Sequence, residues 1–329
     1  MYKRILVPLD GSKVAEQVLP YARYLAGKLK IPVDLLGAVD LVGITSSIKT
    51  EKGLDLDAFI SDSVRRIEAY LENISKTFPG LTVGRTVSKG KPEEVVFEKA
   101  ARDGETLIAM ATHGRSGINR WLLGSVAEKV LRGTTSPLLL VRATEHGKSD
   151  GENTIKRLVA PLDGSPLAEK VLSHVIALAK EMACKTVLLR GYNLGEVIST
   201  FEGYIADWHE LAKEALREAM SEAVSYLDGK VQELKSQGLS EVSSRASEKE
   251  PAQEIIDVAR EEPNSLIAMC THGRSGVQRW VLGSVTEKVV RHSNSPVLVI
   301  PARDRSALSG EKPSEPIDEM RDFLKYSIN

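Results

Sequence analysis

The segment TLIAMATHGRSGINRWLLGSVAEKVLR at residues 106–132 returns almost unchanged as SLIAMCTHGRSGVQRWVLGSVTEKVVR at residues 265–291. Of the 27 positions, 20 are identical. A second match pairs KRILVPLDGS at residues 3–12 with KRLVAPLDGS at residues 156–165. The two matches are offset by 159 and 153 residues, respectively. This period is far above the roughly 20–50 residues of solenoid repeats, so the sequence predicts a duplicated domain.

Each copy alternates apolar runs with amphipathic segments. Residues 5–9 read as a buried strand, and apolar side chains then recur at helical spacing as far as residue 29. The other predicted strands are 33–39, 82–87, 107–111 and 137–141 in the first copy, and 187–189, 266–270 and 296–300 in the second. Long charged helices are predicted at 62–77 and 208–236. This alternation predicts an α/β fold of two tandem, doubly wound, five-stranded, mostly parallel sheets. In such sheets ligands bind beyond the strand ends where the strand order reverses.

Composition places the chain among ordinary globular proteins. Its 329 residues are 27% charged and 42% hydrophobic, with a formal net charge of −1, which does not indicate a nucleic-acid binder. Neither a secretory signal nor a run of 18 apolar residues is visible, so we expect a cytoplasmic protein without a membrane partner. The two cysteines lack the spacing of a disulfide framework or a zinc site. The expected domains are 1–143 and 155–302, with a linker at 144–154 and a tail at 303–329.

The repeated glycine loop has the chemistry of an anion site. Glycines at 114 and 117 let the backbone approach a ligand, and successive N–H groups in such a turn hold anions. Gly124 and Ser125 precede a predicted helix, whose first N–H groups also favour an anion. The alternative is structural: Gly117 is only a turn residue and Ser125 only an N-cap. Neither the P-loop motif nor the dinucleotide-binding motif occurs.

These motifs resemble the universal stress protein family, which shares the adenine-nucleotide α-hydrolase-like, Rossmann-like fold. The ATP-binding members carry G-x-x-G-x9-G-[ST]. The first copy has Ala111, Gly114, Gly124 and Ser125 at the four motif positions, and the second has Cys270, Gly273, Gly283 and Ser284. The resemblance covers nearly the whole chain outside the linker and the tail.

The resemblance implies a stress or signalling module that binds ATP, ADP or AMP, with Mg²⁺ as a further ligand on the phosphates. Asp10 and Asp163 would contact the adenosine or support the metal, while Ala38 and Gly191 would offer backbone to adenine. The other implied nucleotide-binding residues are Met110, Ala111, Gly114, Arg115, Gly124, Ser125, Val126, Met269, Cys270, Gly273, Arg274, Gly283, Ser284 and Val285.

The two copies depart unequally from the family pattern. The first motif glycine is Ala111 in one copy and the bulkier Cys270 in the other. The first copy keeps Gly90 ahead of its proline, where the second has Lys249. We therefore expect the first copy to bind the nucleotide better.

Several residues allow two interpretations. His113 and His272 are either catalytic or turn histidines, and no paired acid or nucleophile is visible near them. Arg115, Arg120, Arg274 and Arg279 either contact phosphates or are solvated. Trp121 and Trp280 either pack or stack on a base. Asp10 and Asp163 either bind the ligand or cap a helix, and Cys270 is either a buried packing residue or a redox sensor.

Three functions remain open from the sequence. The chain is a nucleotide-binding module, a slow ATPase or nucleotide hydrolase, or an interaction protein with a vestigial site. Residues 138–141 are expected to pair with residues 297–300 within one chain, because an apolar edge strand needs covering. The monomer would then be a pseudo-dimer. The expected partners are a second copy of the chain, forming a homodimer, and a signalling protein.

Overall fold

The computed structural model describes residues 2–41, 56–101, 105–112, 123–143, 153–192, 208–271 and 282–301. The predicted tail, and the predicted linker except for its last two residues, lie outside these ranges.

Strands and helices alternate through both halves, as the sequence predicts. The strands are β1 (Arg4–Leu9), β2 (Val33–Val39), β3 (Val83–Lys89), β4 (Thr106–Ala111), β5 (Leu138–Val141), β6 (Arg157–Pro161), β7 (Lys185–Gly191), β8 (Val242–Ser247), β9 (Ser265–Cys270) and β10 (Val297–Ile300). The helices are α1 (Leu19–Leu29), α2 (Leu56–Ser75), α3 (Pro92–Ala101), α4 (Ser125–Gly133), α5 (Pro166–Glu169), α6 (Val171–Met182), α7 (Trp208–Ser236), α8 (Pro251–Glu261) and α9 (Ser284–His292). A short 3-10 helix, Ala15–Val18, precedes α1. Helix α2 begins six residues before its predicted start. The prediction was late because it used the apolar stripe, whose first residue is Val64.

One ten-stranded sheet runs through the molecule, in the order β3-β2-β1-β4-β5-β10-β9-β6-β7-β8. Pairing is parallel within each half, and the strand order reverses between β1 and β4 and again between β6 and β9. Strands β5 and β10 pair antiparallel, with Leu139 opposite Leu298. The predicted pairing within one chain is therefore confirmed, and the two sheets form a single sheet. Homodimerisation of this pseudo-dimer stays a prediction.

Helices cover both faces of the sheet. One buried apolar cluster packs α1, α2, α6 and α7 on one face, and a second packs α3, α4, α8 and α9 on the other. Each cluster contains residues of both halves. Buried parallel strands covered on both faces read as continuous apolar runs, which is why the sequence revealed them. None of the helices in the described ranges combines the length and apolar composition that a membrane crossing needs.

The arginine at the start of each repeat is a structural residue. Arg4 donates to Thr106 Oγ1 at 3.0 Å, to Asp34 Oδ2 at 2.6 Å and to the Lys99 carbonyl. Its counterpart Arg157 is buried and donates to Ser265 Oγ and to the Val258 carbonyl. A planar guanidinium with five donors suits this role, because it joins the first and fourth strands of a half to the helix that precedes the fourth strand.

Polar contacts also join the two halves. Tyr2 Oη lies 2.8 Å from Nδ1 of His174, and the two rings stack with centroids 5.6 Å apart. Tyr24 donates to the Ile155 carbonyl at 3.1 Å. Arg142 donates to the His292 carbonyl and to Asn294 Oδ1. The halves are thus connected on both sides of the β5–β10 junction.

Candidate functional site

A cavity of about 300 Å³, the first cavity, lies at the carboxyl ends of β1, β2 and β4, where the strand order reverses. Its apolar wall is formed by Leu36, Ala38, Pro92, Val96 and Met110. Its polar wall is formed by Asp10, Thr112 and the residues that begin α4, Gly124 to Ala127. The cavity therefore joins an apolar surface to a helix N-terminus, as expected for an α/β ligand site.

The second half contains a matching cavity of about 280 Å³, the second cavity. Leu189, Gly191, Pro251, Ile255 and Met269 form its apolar wall. Asp163 and the residues that begin α9, Gly283 to Thr286, line it as well. Duplication has therefore preserved the plan of the site.

The structure brings together every predicted site residue that it describes. Asp10, Ala38, Met110, Ala111, Gly124, Ser125 and Val126 line the first cavity. Asp163, Gly191, Met269, Cys270, Gly283, Ser284 and Val285 line the second. The remaining predicted residues, Gly114, Arg115, Gly273 and Arg274, lie outside the described residues, and so do His113, Arg120, Trp121, His272, Arg279 and Trp280. The role of each residue in binding stays a prediction.

The aspartate at the end of each first strand holds a tight turn. Asp10 Oδ1 accepts from the Ser12 amide at 2.9 Å and from the Ser12 hydroxyl at 2.6 Å. The hydroxyl of Ser12 in turn accepts from the Ala15 amide at 3.1 Å. Gly11 between them has a φ of 83°, a left-handed conformation that glycine adopts without strain. The aspartate thus orders the turn beside the cavity.

The second half repeats this turn. Asp163 Oδ1 accepts from the Ser165 amide at 2.9 Å, and Ser165 is the N-cap of α5, accepting from the Ala168 amide at 3.2 Å. The alternative in which the aspartates themselves cap the helix is therefore wrong. In the second half Ser165 does so, because its side chain is the one that reaches the third amide beyond it. In the first half the N-cap of the 3-10 helix is Val14, which makes no side-chain cap bond.

Helix α4 begins one residue earlier in the motif than a serine cap would require. Gly124 is the N-cap, with φ −60° and ψ 145°, and Ser125 is the first helical residue. The amide of Gly124 donates to the Thr112 carbonyl at 2.6 Å, and the Gly283 amide donates to the Thr271 carbonyl at 2.9 Å. The prediction of Ser125 as an N-cap is therefore wrong. The amide of Gly124, which was expected to donate to a phosphate, donates instead to the Thr112 carbonyl.

Three amides remain at the start of α4. The first helical bond in this turn runs from Glu128 N to the Gly124 carbonyl. The N–H groups of Ser125, Val126 and Ala127 therefore have no acceptor within the helix. All three residues line the first cavity. Such a turn, at the positive end of the helix dipole, favours an anion.

The second cavity differs from the first at its cysteine. Burial raises the pKa of the Cys270 thiol to about 12, so the sulfur stays protonated at neutral pH. A redox sensor needs an accessible thiolate, so the structure favours the packing interpretation. The carbonyl of Cys270 accepts from the Thr286 hydroxyl at 2.9 Å, where the first half has Ala127. With a volume of about 280 Å³, the second cavity is not closed by this side chain.

A buried glutamate in the second cavity was missed from the sequence. Glu254 is 1% exposed and lines the cavity, whereas the matching residue of the first half is Val95, which packs in an apolar cluster. Lys249 stands two residues after the end of β8, and its Nζ lies 3.2 Å from Glu254 Oε2. The matching residue of the first half is Gly90. Aligning the two copies beyond their motifs would have shown this charge at an apolar position.

Within the described ranges, no group of three or more His, Cys, Asp or Glu side chains is placed to hold a metal ion. The predicted Mg²⁺ would therefore depend on the phosphates of a nucleotide for part of its coordination. Its presence stays a prediction.

Comparison with known proteins gives consistent matches over both halves. The family model described as the universal stress protein family matches residues 1–142 and 154–301. A universal stress protein from Methanocaldococcus jannaschii is 33% identical over 153 residues, which is 46% of this chain and 85% of that protein. One from Mycolicibacterium smegmatis is 22% identical, covering 91% of this chain and 97% of that protein. The crystal structure of a universal stress protein from Archaeoglobus fulgidus superposes with a TM-score of 0.64 at 20% identity, covering 92% of this chain and 97% of that one.

Proposed function

The chain belongs to the universal stress protein family, and from this premise we propose that it is a nucleotide-binding stress module. The first cavity binds an adenine nucleotide, ATP, ADP or AMP, and the second cavity is a nucleotide site built on the same plan. One observation carries the proposal. Ser125, Val126 and Ala127, whose amides have no acceptor within the helix, line the same cavity as an apolar wall large enough for a base.

The phosphates are assigned to the start of α4. Three N–H groups in one helical turn can donate to several phosphate oxygens without a lysine, and the helix dipole adds to the attraction. The Ser125 hydroxyl is an additional donor on the same turn. The hydrogen bond between Gly124 and Thr112 fixes where this turn stands relative to the end of β4.

The base and ribose are assigned to the apolar wall and the end of β1. Leu36, Pro92, Val96 and Met110 offer apolar surface to a planar base, and the backbone at Ala38 offers polar groups to its edge. Asp10 lies in the same lining, where a carboxylate can accept from ribose hydroxyls or hold a metal on the phosphates.

Binding without fast turnover fits this set of groups. Phosphoryl transfer needs charge neutralisation and a positioned nucleophile. Among the described residues that line the first cavity, Asp10 is the one ionisable side chain, and its Oδ1 already accepts two hydrogen bonds. We therefore propose a binding module and retain slow ATP hydrolysis as the alternative.

Calorimetric titration of ATP into the full chain tests the proposal. The double variant Gly124→Asp/Gly283→Asp should lose binding by about 100-fold or more, because an Asp N-cap occupies the amides and repels phosphate. Both glycines have extended backbone angles that any residue adopts, so the variant should fold. The matched control is Gly229→Asp, the same substitution at an open, exposed position on α7. Unchanged ATP binding by the double variant would refute the assignment.

A second experiment separates the module from the hydrolase. The wild-type chain is incubated with ATP and Mg²⁺, and the nucleotides are separated by chromatography over several hours. If the chain is a binding module, the amount of ATP that remains in the wild-type sample should equal the amount that remains with the double variant. ADP that accumulates in the wild-type sample, and not in the double variant, would establish the hydrolase instead.

A further inference from the structure

The second cavity contains a buried carboxylate that has no equivalent in the first. Glu254 lies in the first turn of α8, is 1% exposed and lines the second cavity. The matching position of the first half is Val95, whose side chain belongs to an apolar cluster. Burying a charged side chain costs folding free energy unless the charge is paired and hydrogen-bonded. The replacement of valine by glutamate at this position therefore needs an explanation.

Two cations accompany Glu254. Arg245 Nε lies 2.9 Å from Oε1 and Lys249 Nζ lies 3.2 Å from Oε2, and both cationic side chains are partly exposed. These contacts compensate the charge but lack hydrogen-bond geometry. Neither carboxylate oxygen has a hydrogen-bond partner among the described residues. Buried oxygens without a hydrogen bond are rare, so these two ion-paired oxygens can still accept from a further donor.

The carboxylate stands beside the apolar wall of the second cavity. Pro251 and Ile255 come from the same helix turn as Glu254, and a Cβ atom at Gly191 would lie 3.2 Å from Pro251 Cγ. The amides that suit phosphates belong to a different helix, α9. A nucleotide with its phosphates on α9 therefore presents its base to the part of the cavity that Glu254 lines.

We propose, on the basis of the nucleotide binding proposed above, that the second cavity selects guanine and that Glu254 is its specificity-determining residue. An ionised carboxylate only accepts hydrogen bonds. Guanine presents two adjacent donors, N1–H and the exocyclic N2–H₂, which match the two carboxylate oxygens. Adenine presents a donor at N6 beside an acceptor at N1, so one carboxylate oxygen would face a lone pair. A site that contains a buried carboxylate without hydrogen bonds discriminates strongly against a ligand that cannot donate to it.

The first cavity lacks this selection. Val95 offers neither donor nor acceptor at the matching position, and Gly90 stands in place of Lys249. The two halves of one chain would then bind two different purine nucleotides. The occupancy of the chain would report the levels of both.

Calorimetry on the full-length Gly124→Asp variant, in which only the second cavity is competent, tests the proposal. We expect GTP to bind at least tenfold more tightly than ATP, with inosine triphosphate in between because hypoxanthine keeps N1–H and lacks the amino group. Adding Glu254→Gln to this variant should remove the preference, since an amide can donate to adenine N1 and accept from N6. Adding Glu254→Val, the residue of the first half, should weaken GTP at least tenfold. The control is Glu250→Gln, which removes the same charge from the N-cap of α8, a half-exposed residue outside the cavity lining, and keeps an oxygen that can accept from the Gln253 amide.

The Gly283→Asp variant, in which only the first cavity is competent, separates the two proposals. If neither single variant binds any nucleotide, the proposed function fails. If Gly283→Asp binds ATP while Gly124→Asp prefers ATP, binds GTP and ATP equally, or binds neither, the function stands and guanine selection is overturned. A GTP preference that survives both Glu254 substitutions would also overturn the role of Glu254.

Discussion

The amide of Gly124 donates to the carbonyl of Thr112 at 2.6 Å, and the same bond joins Gly283 to Thr271 at 2.9 Å. Thr112 directly follows β4, and Gly124 directly precedes α4. This one bond therefore joins the end of a central strand to the start of the helix whose first residues line the cavity. The bond fixes the position of the turn to which we assign the phosphates, because it joins the two ends of the glycine loop.

Gly90 should tolerate no side chain. Its φ is +140°, and a Cβ atom would lie 3.2 Å from Val95 Cγ2. Gly90→Ala should therefore destabilise the protein by roughly 1–3 kcal/mol and lower its melting temperature. The matched control is Gly27→Ala in α1, where no atom lies within 4 Å of the added methyl group. That change should raise stability by about 0.5–1 kcal/mol. Equal melting temperatures for the two variants would contradict the strained geometry assigned to Gly90.

Stability should fall in mildly acidic solution because of His174. Desolvation by burial lowers the pKa of His174 to about 4 from 6.5, so the folded state holds a neutral ring. The unfolded chain takes up a proton first as the pH falls, and this contribution, about 3 kcal/mol, is lost between pH 6.5 and pH 4. His174→Asn, which keeps an acceptor for Tyr2, should show a smaller drop in melting temperature from pH 7 to pH 4.5. His292→Asn, at a partly exposed histidine, is the control and should show the same drop as the wild type. If the melting temperature of His174→Asn fell as much as that of the wild type, the His174 ring would not be the group that causes the loss of stability.

Hydrogen exchange should show that the junction between the halves is the interior of one sheet. Amides of β5 and β10 that bond across the junction are buried and central, whereas β3 and β8 form the two sheet edges. We expect the paired amides of β5 and β10 to exchange on the order of 100-fold more slowly than those of β3 and β8. Mass spectrometry of peptic fragments measures this directly. Exchange at β5 and β10 as fast as at the edges would mean that the halves separate in solution.

The fold was predictable because the two copies repeat the same alternation of elements. Strands β4 and β9 are apolar throughout, so burial on both faces was visible in the residues themselves. The pairing of β5 with β10 followed from the need to cover an apolar edge, whereas its antiparallel direction is seen only in the structure. The sequence did not predict that each buried cluster continues through both halves, because this depends on how the helices of the two halves pack together.

The site was predictable only in part. Ser125 and Gly124 were recognised, but which of them caps α4 depends on the backbone angles at Gly124, and both residue types are accepted there. Glu254 was missed because its sequence neighbourhood is an ordinary charged helix start. Its importance depends on burial and on the approach of Arg245 and Lys249, neither of which a linear pattern records.

The central claim is that the two cavities are unequal nucleotide sites. Calorimetry tests it most directly, by comparing the ATP affinities of Gly124→Asp and Gly283→Asp with those of the wild type and Gly229→Asp. Gly124→Asp should weaken ATP binding by about 100-fold or more, because the new carboxylate accepts from the amides of the first turn of α4 and repels the phosphates. Gly283→Asp and Gly229→Asp should both retain wild-type ATP affinity. Wild-type ATP affinity in Gly124→Asp, or an equal loss in Gly124→Asp and Gly283→Asp, would contradict the account.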